Sequence, residues 1–433
     1  MKKSNYNIIF ENDGKKFAFN SMSCALAEVD HDFFYILNNL NNDNIISQYK
    51  GLVETMKEGN YIVDDSIDEI KKLKMRNYYG KFSDKTLSLT ILPNLSCNFA
   101  CPYCYEGKIQ NKSMENIRDD VIEAIYKQVE RSSALRRNIT VAWYGGEPTL
   151  SKDIIIKMSE KIIMICENHG VEYKSSITSN GYLIDDDFIK NMKKFKISTA
   201  HITLDGPPNF HNKTRKLKNG QGTFGVIIEN IKKLINSGIK VFIRVNVTKF
   251  NMNCFEELLD VLDKNNLNNI TITPSAVVSY KNTNTDITNT CLSAEEFSKK
   301  LLEYCKLMST RKFSAANYPY SFSIKTNYCF ADNISSYTID YNGNIYKCWV
   351  DVGTPNCSLG NIRDFLERDL LTAAENDSKY IFWSAFKHKK CMECKVLPIC
   401  MGGCPSRGII NNNKPYCELA KYCLEDALKT QLS

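Results

Sequence analysis

The stretch Leu95–Gly107, LSCNFACPYCYEG, decides how the rest of this chain is read. It sets Cys97, Cys101 and Cys104 in a CxxxCxxC spacing, directly after the apolar run Leu87 to Leu92. Three thiolates on a loop leaving an expected strand can converge on one face of an iron–sulfur cube and leave its fourth iron without a protein ligand. A vacant iron is a place where a reagent can bind. The competing reading is a zinc knuckle, but structural zinc asks for four closed ligands, and no fourth Cys or His lies nearby in sequence.

With 433 residues, 43% of them hydrophobic, the chain can build one very large domain or two to three ordinary ones. No apolar run approaches the length of a membrane span, and the opening MKKSNYNIIFENDG turns polar before a signal-peptide core could form, so a cytoplasmic protein without a membrane role is expected. The formal charge is +7, but lysines and acids are interspersed, as in Lys71-Lys72-Leu73-Lys74 near Asp64-Asp65. Such scattering describes solvated helix faces and argues against nucleic acid as a partner. Seventeen cysteines, clustered in an intracellular chain of this size, argue for metal rather than disulfides.

Residues 1–84 read as a small α+β module. Tyr6 to Phe10 and Lys15 to Phe19 alternate across Asp13-Gly14 as a hairpin, followed by helical patterns at Asp30–Leu40 and Ile46–Lys57, a short strand at Tyr61–Val63 and a helix over Ser66–Lys74. Residues 85–275 alternate strand and helix. The strand-like runs are Thr86–Leu92, Ile139–Trp143, Lys174–Thr178, Ala200–Leu204, Val241–Val247 and Ile270–Thr273. Six strands with helices between them predict an α/β fold with a parallel sheet, curled into a partial (β/α)6 TIM-like barrel whose site lies at the C-terminal strand ends. Residues 276–325 read as a linker with a helix at Ser293–Met308, and 326–433 as a cysteine-rich domain.

Several motifs fall at those strand ends. Gly145-Gly146-Glu147-Pro148 follows the second strand, where glycines permit close backbone approach and Glu147 can accept from an ammonium. Thr178-Ser179-Asn180-Gly181 ends the third strand and would be a simple β-turn if it bound nothing. The fourth strand runs Ile202-Thr203-Leu204-Asp205-Gly206-Pro207 and leads to His211 and Arg215, whose guanidinium fork suits a carboxylate. Arg244 and Asn246 share one face of the fifth strand, for cofactor contact or for an internal salt bridge. Beyond the linker, Cys329, Gly343 and Cys348 form one arm; Cys391-x2-Cys394-x5-Cys400-x3-Cys404 with Cys417 forms a second. The C-x2-C pair alone could be a zinc ribbon.

Over roughly Thr86 to Lys429, these motifs together resemble radical S-adenosylmethionine (SAM) enzymes that carry the cysteine-rich extension called SPASM. The resemblance implies three [4Fe-4S] clusters. Cys97, Cys101 and Cys104 would hold the one whose open iron is chelated by SAM, with Tyr103 as the motif's usual aromatic. Gly145, Gly146 and Glu147 would bind the methionine amine, Ser179 and Asn180 belong to the family's TNG-like turn, and Thr203 and Arg215 would meet the cofactor's carboxylate and ribose. Cys391, Cys394, Cys400 and Cys417 would hold an outer auxiliary cluster, with Cys423 as an alternative to Cys417. Cys329, Cys348 and Cys404 would hold an inner one. The inner cluster's usual extra cysteine falls at Ser335, so that either Cys357 substitutes or an iron stays open. The remaining cysteines read as buried small hydrophobes.

The activity implied is reductive cleavage of SAM to methionine and a 5′-deoxyadenosyl radical, which takes a hydrogen atom from a peptide residue. In sulfatase-maturing relatives an aspartate follows the inner-cluster cysteine as a base; here Trp349 follows Cys348 and Asp351 is displaced. That departure, Ser335 and the additional N-terminal module, which resembles winged-helix-like binders of leader peptides, favour maturation of a ribosomally made peptide through a thioether or other crosslink. Sulfatase maturation is the alternative, and a non-catalytic iron–sulfur electron carrier is a third. The expected partners are a cysteine-containing precursor peptide with a leader and an external electron donor such as flavodoxin or ferredoxin.

Overall fold

A computed structural model describes residues 1–110, 114–280, 283, 286–315, 322–354, 356–375 and 379–432. Part of the expected linker at 276–325 lies outside them. At the N-terminus, β1 (Lys2–Lys3) pairs antiparallel with β5 (Ile62–Val63), while β2 (Asn7–Asn12), β3 (Lys15–Asn20) and β4 (Ala25–Val29) form a three-stranded antiparallel sheet. The hairpin turns at Asp13-Gly14, both with positive φ (49° and 74°), the backbone that an Asp-Gly pair supplies. Strand β4 escaped the sequence reading because ALAEV carries little β preference; it forms because the hairpin edge is there to pair with it.

Four helices follow: α1 (His31–Asn38), α2 (Asp43–Gln48), α3 (Lys50–Glu58) and α4 (Glu69–Lys81). Asp30, Asn42 and Asp68 cap α1, α2 and α4 through their side-chain oxygens. The single helix expected over Ile46–Lys57 is two, broken at Tyr49.

The centre of the chain is a nine-stranded sheet. Its strands β6 (Thr86–Ile91), β7 (Asn138–Trp143), β8 (Tyr173–Ser179), β9 (Ile197–Thr203), β10 (Lys240–Val247) and β11 (Thr271–Ala276) lie in sequence order and pair in parallel, as expected. The helices between them are α5 (Asp119–Ala134), α6 (Lys152–His169), α7 (Asp186–Lys194), α8 (Pro208–Thr214), α9 (Phe224–Asn236) and α10 (Phe255–Lys264), and α11 (Ala294–Thr310) follows β11. Ile91, Trp143, Ile177, Ile202 and Ile243 are fully buried along the sheet. Three further strands widen it: β12 (Ser314–Ala315) beside β11, and β13 (Ser336–Ile339) with β14 (Ile345–Tyr346) beside β6. The last part carries the short helices α12 (Lys379–Phe382), α13 (Lys389–Met392), α14 (Leu397–Cys400), α15 (Pro405–Ile410), α16 (Leu419–Tyr422) and the longer α17 (Leu424–Leu432).

The compact units are drawn differently from the four expected segments. One unit comprises Met1–Phe82, Asn317–Asp332 and Phe382–Ser433; the other comprises Ser83–Ala316 and Asn333–Ile381. The reason is packing. Phe10, Phe17 and Phe19 of the N-terminal hairpin share a core with Val396, Ile399, Ala420, Leu424 and Leu428, so the first eighty residues and the last fifty are one body. The stretch from Ser336 instead continues the central sheet, where Ser335 Oγ donates to the Thr86 carbonyl at 2.7 Å.

Candidate active site

The cysteine loop leaves β6 and is gripped by the glycine turn that ends β7. Tyr144 N–H donates to the Ile91 carbonyl at 3.0 Å, and Glu147 N–H donates to that of Ser96 at 2.8 Å. A Cβ on Gly145 would overlap the Asn94 carbonyl oxygen, and one on Gly146 that of Ser96; Gly145 also has φ of +117°. The close approach these glycines permit is therefore to the cysteine loop itself. Asn94, which sequence reasoning passed over, completes the grip: its Nδ2 donates to Ser151 Oγ at 2.7 Å and its Oδ1 accepts from Ser96 N–H at 2.9 Å.

Glu147 is buried, and its carboxylate accepts from Thr149 N–H (3.0 Å), Thr149 Oγ1 (2.6 Å), Ser179 Oγ (2.7 Å) and Asn180 N–H (2.7 Å). The acid expected to face an ammonium is thus ringed by donors, and it ties the glycine turn to the Thr178–Gly181 turn. Asn180 Nδ2 in turn reaches back to Asn98 Oδ1 at 2.7 Å, between Cys97 and Cys101. The structure brings Gly145, Gly146, Glu147, Ser179 and Asn180 together around the loop.

A second group forms at the ends of β9 and β10. Tyr103 donates through its hydroxyl to Asp205 and accepts from Arg215 Nη1 at 3.0 Å, and that same nitrogen stands 3.7 Å from Cys101 Sγ. Asp205 also accepts from the Asn246 N–H at 3.1 Å. Burial pushes the Asp205 carboxyl up, while the Arg215 charge and the Tyr103 hydroxyl pull it back. Asp205 stands inside a motif that was read from sequence, yet its part in joining Tyr103 to β10 shows only in three dimensions. Thr203 is buried opposite Arg244 in the β9–β10 register. Arg244 Nε donates to Asn246 Oδ1 at 2.9 Å, a pairing with an amide rather than with the carboxylate of a salt bridge.

Cys97 is buried, and Cys101 and Cys104 are partly so. Burial pushes the Cys97 thiol up to about 12 and raises the other two, each with further upward pressure from neighbouring acids or thiols. Metal binding there must displace protons, as thiolate ligation requires. Among the described residues no three His, Cys, Asp or Glu side chains close as the ligands of one ion do; the thiolates that hold different irons of a cube stand further apart than the ligands of a single ion. Two observations fit a cluster with a chelating amino acid: three thiols on one loop with no fourth Cys or His on it, and the buried Arg215 Nε, which among the described residues has no hydrogen-bond partner and is suited to a carboxylate.

Aromatic side chains gather beside the third cysteine. Tyr105 and Tyr144 share a hydroxyl–hydroxyl hydrogen bond of 2.9 Å; Tyr280 meets the edge of Tyr105, and Trp349 stacks on Tyr144 with centroids 5.9 Å apart. Asp351, displaced from the position next to Cys348, accepts from Tyr380 Oη at 2.8 Å and pairs with Lys379 Nζ at 3.1 Å. Lys379 also donates to Cys357 Sγ at 3.3 Å.

The other unit holds Cys329, Cys391, Cys394, Cys400, Cys404 and Cys417, whereas Cys348 and Cys357 belong with the sheet. Burial first, then the nearby Cys400, Cys417 and Cys394, push the Cys391 thiol up to about 12, so these four are electrostatic neighbours. Cys423 is buried at the end of α16. Gly402 and Gly403, both with positive φ, close this arm: Tyr416 N–H donates to the Gly402 carbonyl at 3.0 Å, and a Cβ on Gly403 would overlap the Tyr416 carbonyl beside Cys417.

The radical SAM superfamily model matches residues 91–262. The chain carries a radical SAM domain. Its relatives divide by function. A cysteine-type anaerobic sulfatase-maturating enzyme of Clostridium novyi is 25% identical over 366 residues, 79% of this chain and 95% of that protein. The radical SAM cyclopropyl synthase TigE of Paramaledivibacter caminithermalis is 22% identical over 435 residues, 92% of this chain and 88% of that protein. Among solved structures, anSMEcpe with bound AdoMet aligns with a TM-score of 0.64 at 20% identity, covering 80% of this chain and 95% of that one. SuiB of Streptococcus suis bound to the precursor peptide SuiA aligns with a TM-score of 0.56 at 19% identity, covering 98% and 99%. At those identities the structural likeness is one of fold. No helix among the described residues is long and apolar enough to cross a membrane.

Proposed function

We propose that this protein is a radical SAM maturase of a ribosomally made, cysteine-containing peptide, closing a thioether from cysteine sulfur to carbon or another crosslink. The observation that carries this reading is the place of Asp351. The acid that would serve as a base directly after Cys348 stands three residues on and is held by Lys379 and Tyr380, while Trp349 occupies the vacated position and stacks on Tyr144. Coverage supports the same choice. TigE and SuiB align over 92% and 98% of the chain, against 79% for the sulfatase maturase.

In this reading Cys97, Cys101 and Cys104 hold a [4Fe-4S] cluster that binds SAM. When bound, that pair supplies, on one-electron reduction by an external flavodoxin or ferredoxin, the power to remove a hydrogen atom from an unactivated carbon. The protein's part is placement. Arg215 offers its unpartnered Nε to the cofactor's carboxylate, with Thr203, Arg244 and Asn246 lining the same strand ends. Tyr103 and Asp205 keep Arg215 in line, and Glu147 fixes the Gly145-Gly146 and Ser179-Asn180 turns around the loop. Tyr105, Tyr144, Tyr280 and Trp349 form an aromatic wall beside the third cysteine, against which a peptide side chain could lie. Cys391, Cys394, Cys400 and Cys417 hold one auxiliary cluster. Cys329, Cys348 and Cys404 are assigned to a second by their pattern, with Cys357 as its further candidate ligand.

The test is anaerobic reconstitution with a reductant. The protein is expected to form 5′-deoxyadenosine from SAM and to modify a short cysteine-containing peptide encoded beside its gene. Formylglycine made on a sulfatase-derived peptide, with the neighbouring peptide untouched, selects the second reading, which the Clostridium novyi relative supports. Iron-loaded protein that forms no 5′-deoxyadenosine selects the electron carrier.

A further inference from the structure

His211 stands on α8, one helical turn before Arg215, and is fully buried. Arg215 N–H donates to the His211 carbonyl at 2.7 Å, and Phe224 of α9 meets the imidazole in a T-shaped contact with centroids 5.4 Å apart. A neutral imidazole held away from water needs a donor for one ring nitrogen and an acceptor for the other. Nδ1 accepts from the Asp205 N–H at 3.4 Å, and Nε2 lies 3.1 Å from Thr223 Oγ1. Thr223 is itself buried, and its hydroxyl donates to the Arg215 carbonyl at 2.6 Å. Asn212 fixes that threonine by accepting from its N–H at 2.8 Å.

These contacts leave one protonation state. A backbone N–H can only donate, so Nδ1 carries no proton. The single hydroxyl proton of Thr223 is committed to the Arg215 carbonyl, so its oxygen accepts and Nε2 donates. Burial, and after it the charge of Arg215, hold the ring well below the ordinary histidine pKa, which keeps it neutral. The hydrogen bonds then close a circuit. From the Asp205 N–H they run through His211 and Thr223 to the Arg215 backbone, and from the Arg215 guanidinium through the Tyr103 hydroxyl back to the Asp205 carboxylate. His211 thereby sets the spacing between the backbones of the two residues that Tyr103 bridges. The guanidinium Nε stays outside the circuit, among the described residues without a partner.

We propose that His211, neutral and with its proton on Nε2, is a positioning residue that aims Arg215 so that its Nε stays open to the carboxylate of SAM. The inference rests on the reading of Arg215 as the partner of that carboxylate. A guanidinium forms its two parallel bonds to a carboxylate only in one plane and at one reach, so an error in the backbone beneath it forfeits the fork while leaving the charge in place. The plain alternative is that His211 only fills the space between α8 and α9. The two differ in whether its removal is felt through Arg215 or independently of it.

The experiment is a double-mutant cycle on the full-length chain, reconstituted with iron and sulfide and titrated with SAM by anaerobic calorimetry. His211→Phe keeps an aromatic ring against Phe224 and removes both hydrogen bonds; it is expected to weaken SAM binding about tenfold at unchanged iron content. In an Arg215→Met background the same change is expected to cost nothing further, because residues that act through one contact are not additive. An unchanged affinity in His211→Phe, or a loss of equal size in both backgrounds, overturns the proposal. Parental affinity in Arg215→Met alone removes the carboxylate reading, and the proposal with it. Should His211→Phe fail to take up iron, Thr223→Val carries the same cycle with the same two overturning results, and Thr223→Ser, which keeps the hydroxyl, is expected to stay near the parent. Independently of SAM, long-range nitrogen-15 spectra of the protein with labelled histidine read the tautomer. With five histidines in the chain, the signal of His211 is the one that survives replacement of each of the other four in turn. A bare Nδ1 and a protonated Nε2 are expected, and a proton on Nδ1 overturns the proposal whatever the affinities.

Discussion

Two glycine pairs do the same mechanical work in the two compact units, on different foundations. Gly145-Gly146 lets one backbone press against the Asn94–Ser96 stretch before Cys97, and Gly402-Gly403 lets another press against Tyr416 beside Cys417. The first pair stands at the end of β7, inside a nine-stranded parallel sheet with a buried aliphatic interior. The second follows the four-residue helix α14, among other helices of four to six residues that could not persist by themselves. The contrast teaches that the first thiol set is positioned by the fold, whereas the second, in the function proposed above, would lean also on the cluster it is proposed to hold. A metal that completes a site contributes folding free energy of its own, beside that of the small core the set shares with the N-terminal hairpin.

The contrast breaks or sharpens first at the cysteines. Cys101→Ser is expected to abolish 5′-deoxyadenosine formation while leaving the sheet intact by circular dichroism. Cys400→Ser is expected to leave SAM cleavage measurable and to stop modification of the peptide. Loss of SAM cleavage in both would mean that the two sets act as one. Next in size is removal of iron. Chelation under anaerobic conditions is expected to strip hydrogen-exchange protection from residues 391–417 and to spare β6 to β10, and an equal loss in both regions would contradict the different foundations.

The same difference decides what could be read from the chain alone. The six parallel strands were legible because short strand-like runs alternate with helical patterns, several of them ending in a turn motif, and the cysteine loop because three thiols in one register have few meanings. Strand β4 and the β13–β14 pair were not legible, since neither ALAEV nor Ser336–Ile339 forms for its own sake; each completes an edge presented by distant residues. The union of the N-terminal hairpin with α14, α16 and α17 was invisible for a related reason. Phe10, Phe17 and Phe19 announce that they are buried without saying against what. In the site, Glu147 and Arg215 could be picked out by type and spacing, but the four donors around Glu147 and the tie from Tyr103 to Asp205 arise from chain segments up to about a hundred residues apart.

Substitution of the glycines comes third. Gly146→Ala forces a methyl into the Ser96 carbonyl, and overpacking of that kind costs about 1–3 kcal/mol or more. It is expected to lower both the melting temperature and iron uptake by the first set. Gly403→Ala is expected to lower iron uptake by the second set while barely moving the melting of the sheet, and a matched drop in melting for both would contradict the different foundations. Arg215→Lys follows, a smaller effect confined to the cofactor. Lysine keeps the charge but loses the fork, and one charge-assisted hydrogen bond is worth about 2 kcal/mol, or about 30-fold in the apparent affinity for SAM. Isothermal titration with anaerobic protein reads it, and an unchanged affinity would mean that the orphaned Nε faces no carboxylate.

The smallest effect tests the finest detail. Thr203 ends β9, is buried, and lies opposite Arg244 in the adjoining strand. Valine keeps its shape and removes the hydroxyl; serine keeps the hydroxyl and removes a methyl. If the hydroxyl bonds to the cofactor, Thr203→Val loses one neutral hydrogen bond, about 1 kcal/mol, and SAM binds about fivefold more weakly, whereas Thr203→Ser stays near the parent. If the residue only fills the sheet's interior, the order reverses, since serine leaves a small void and valine leaves none. Titration of the two variants side by side therefore separates a binding hydroxyl from a packing methyl without reference to turnover, and the reversed order would leave the cofactor's carboxylate to Arg215 alone.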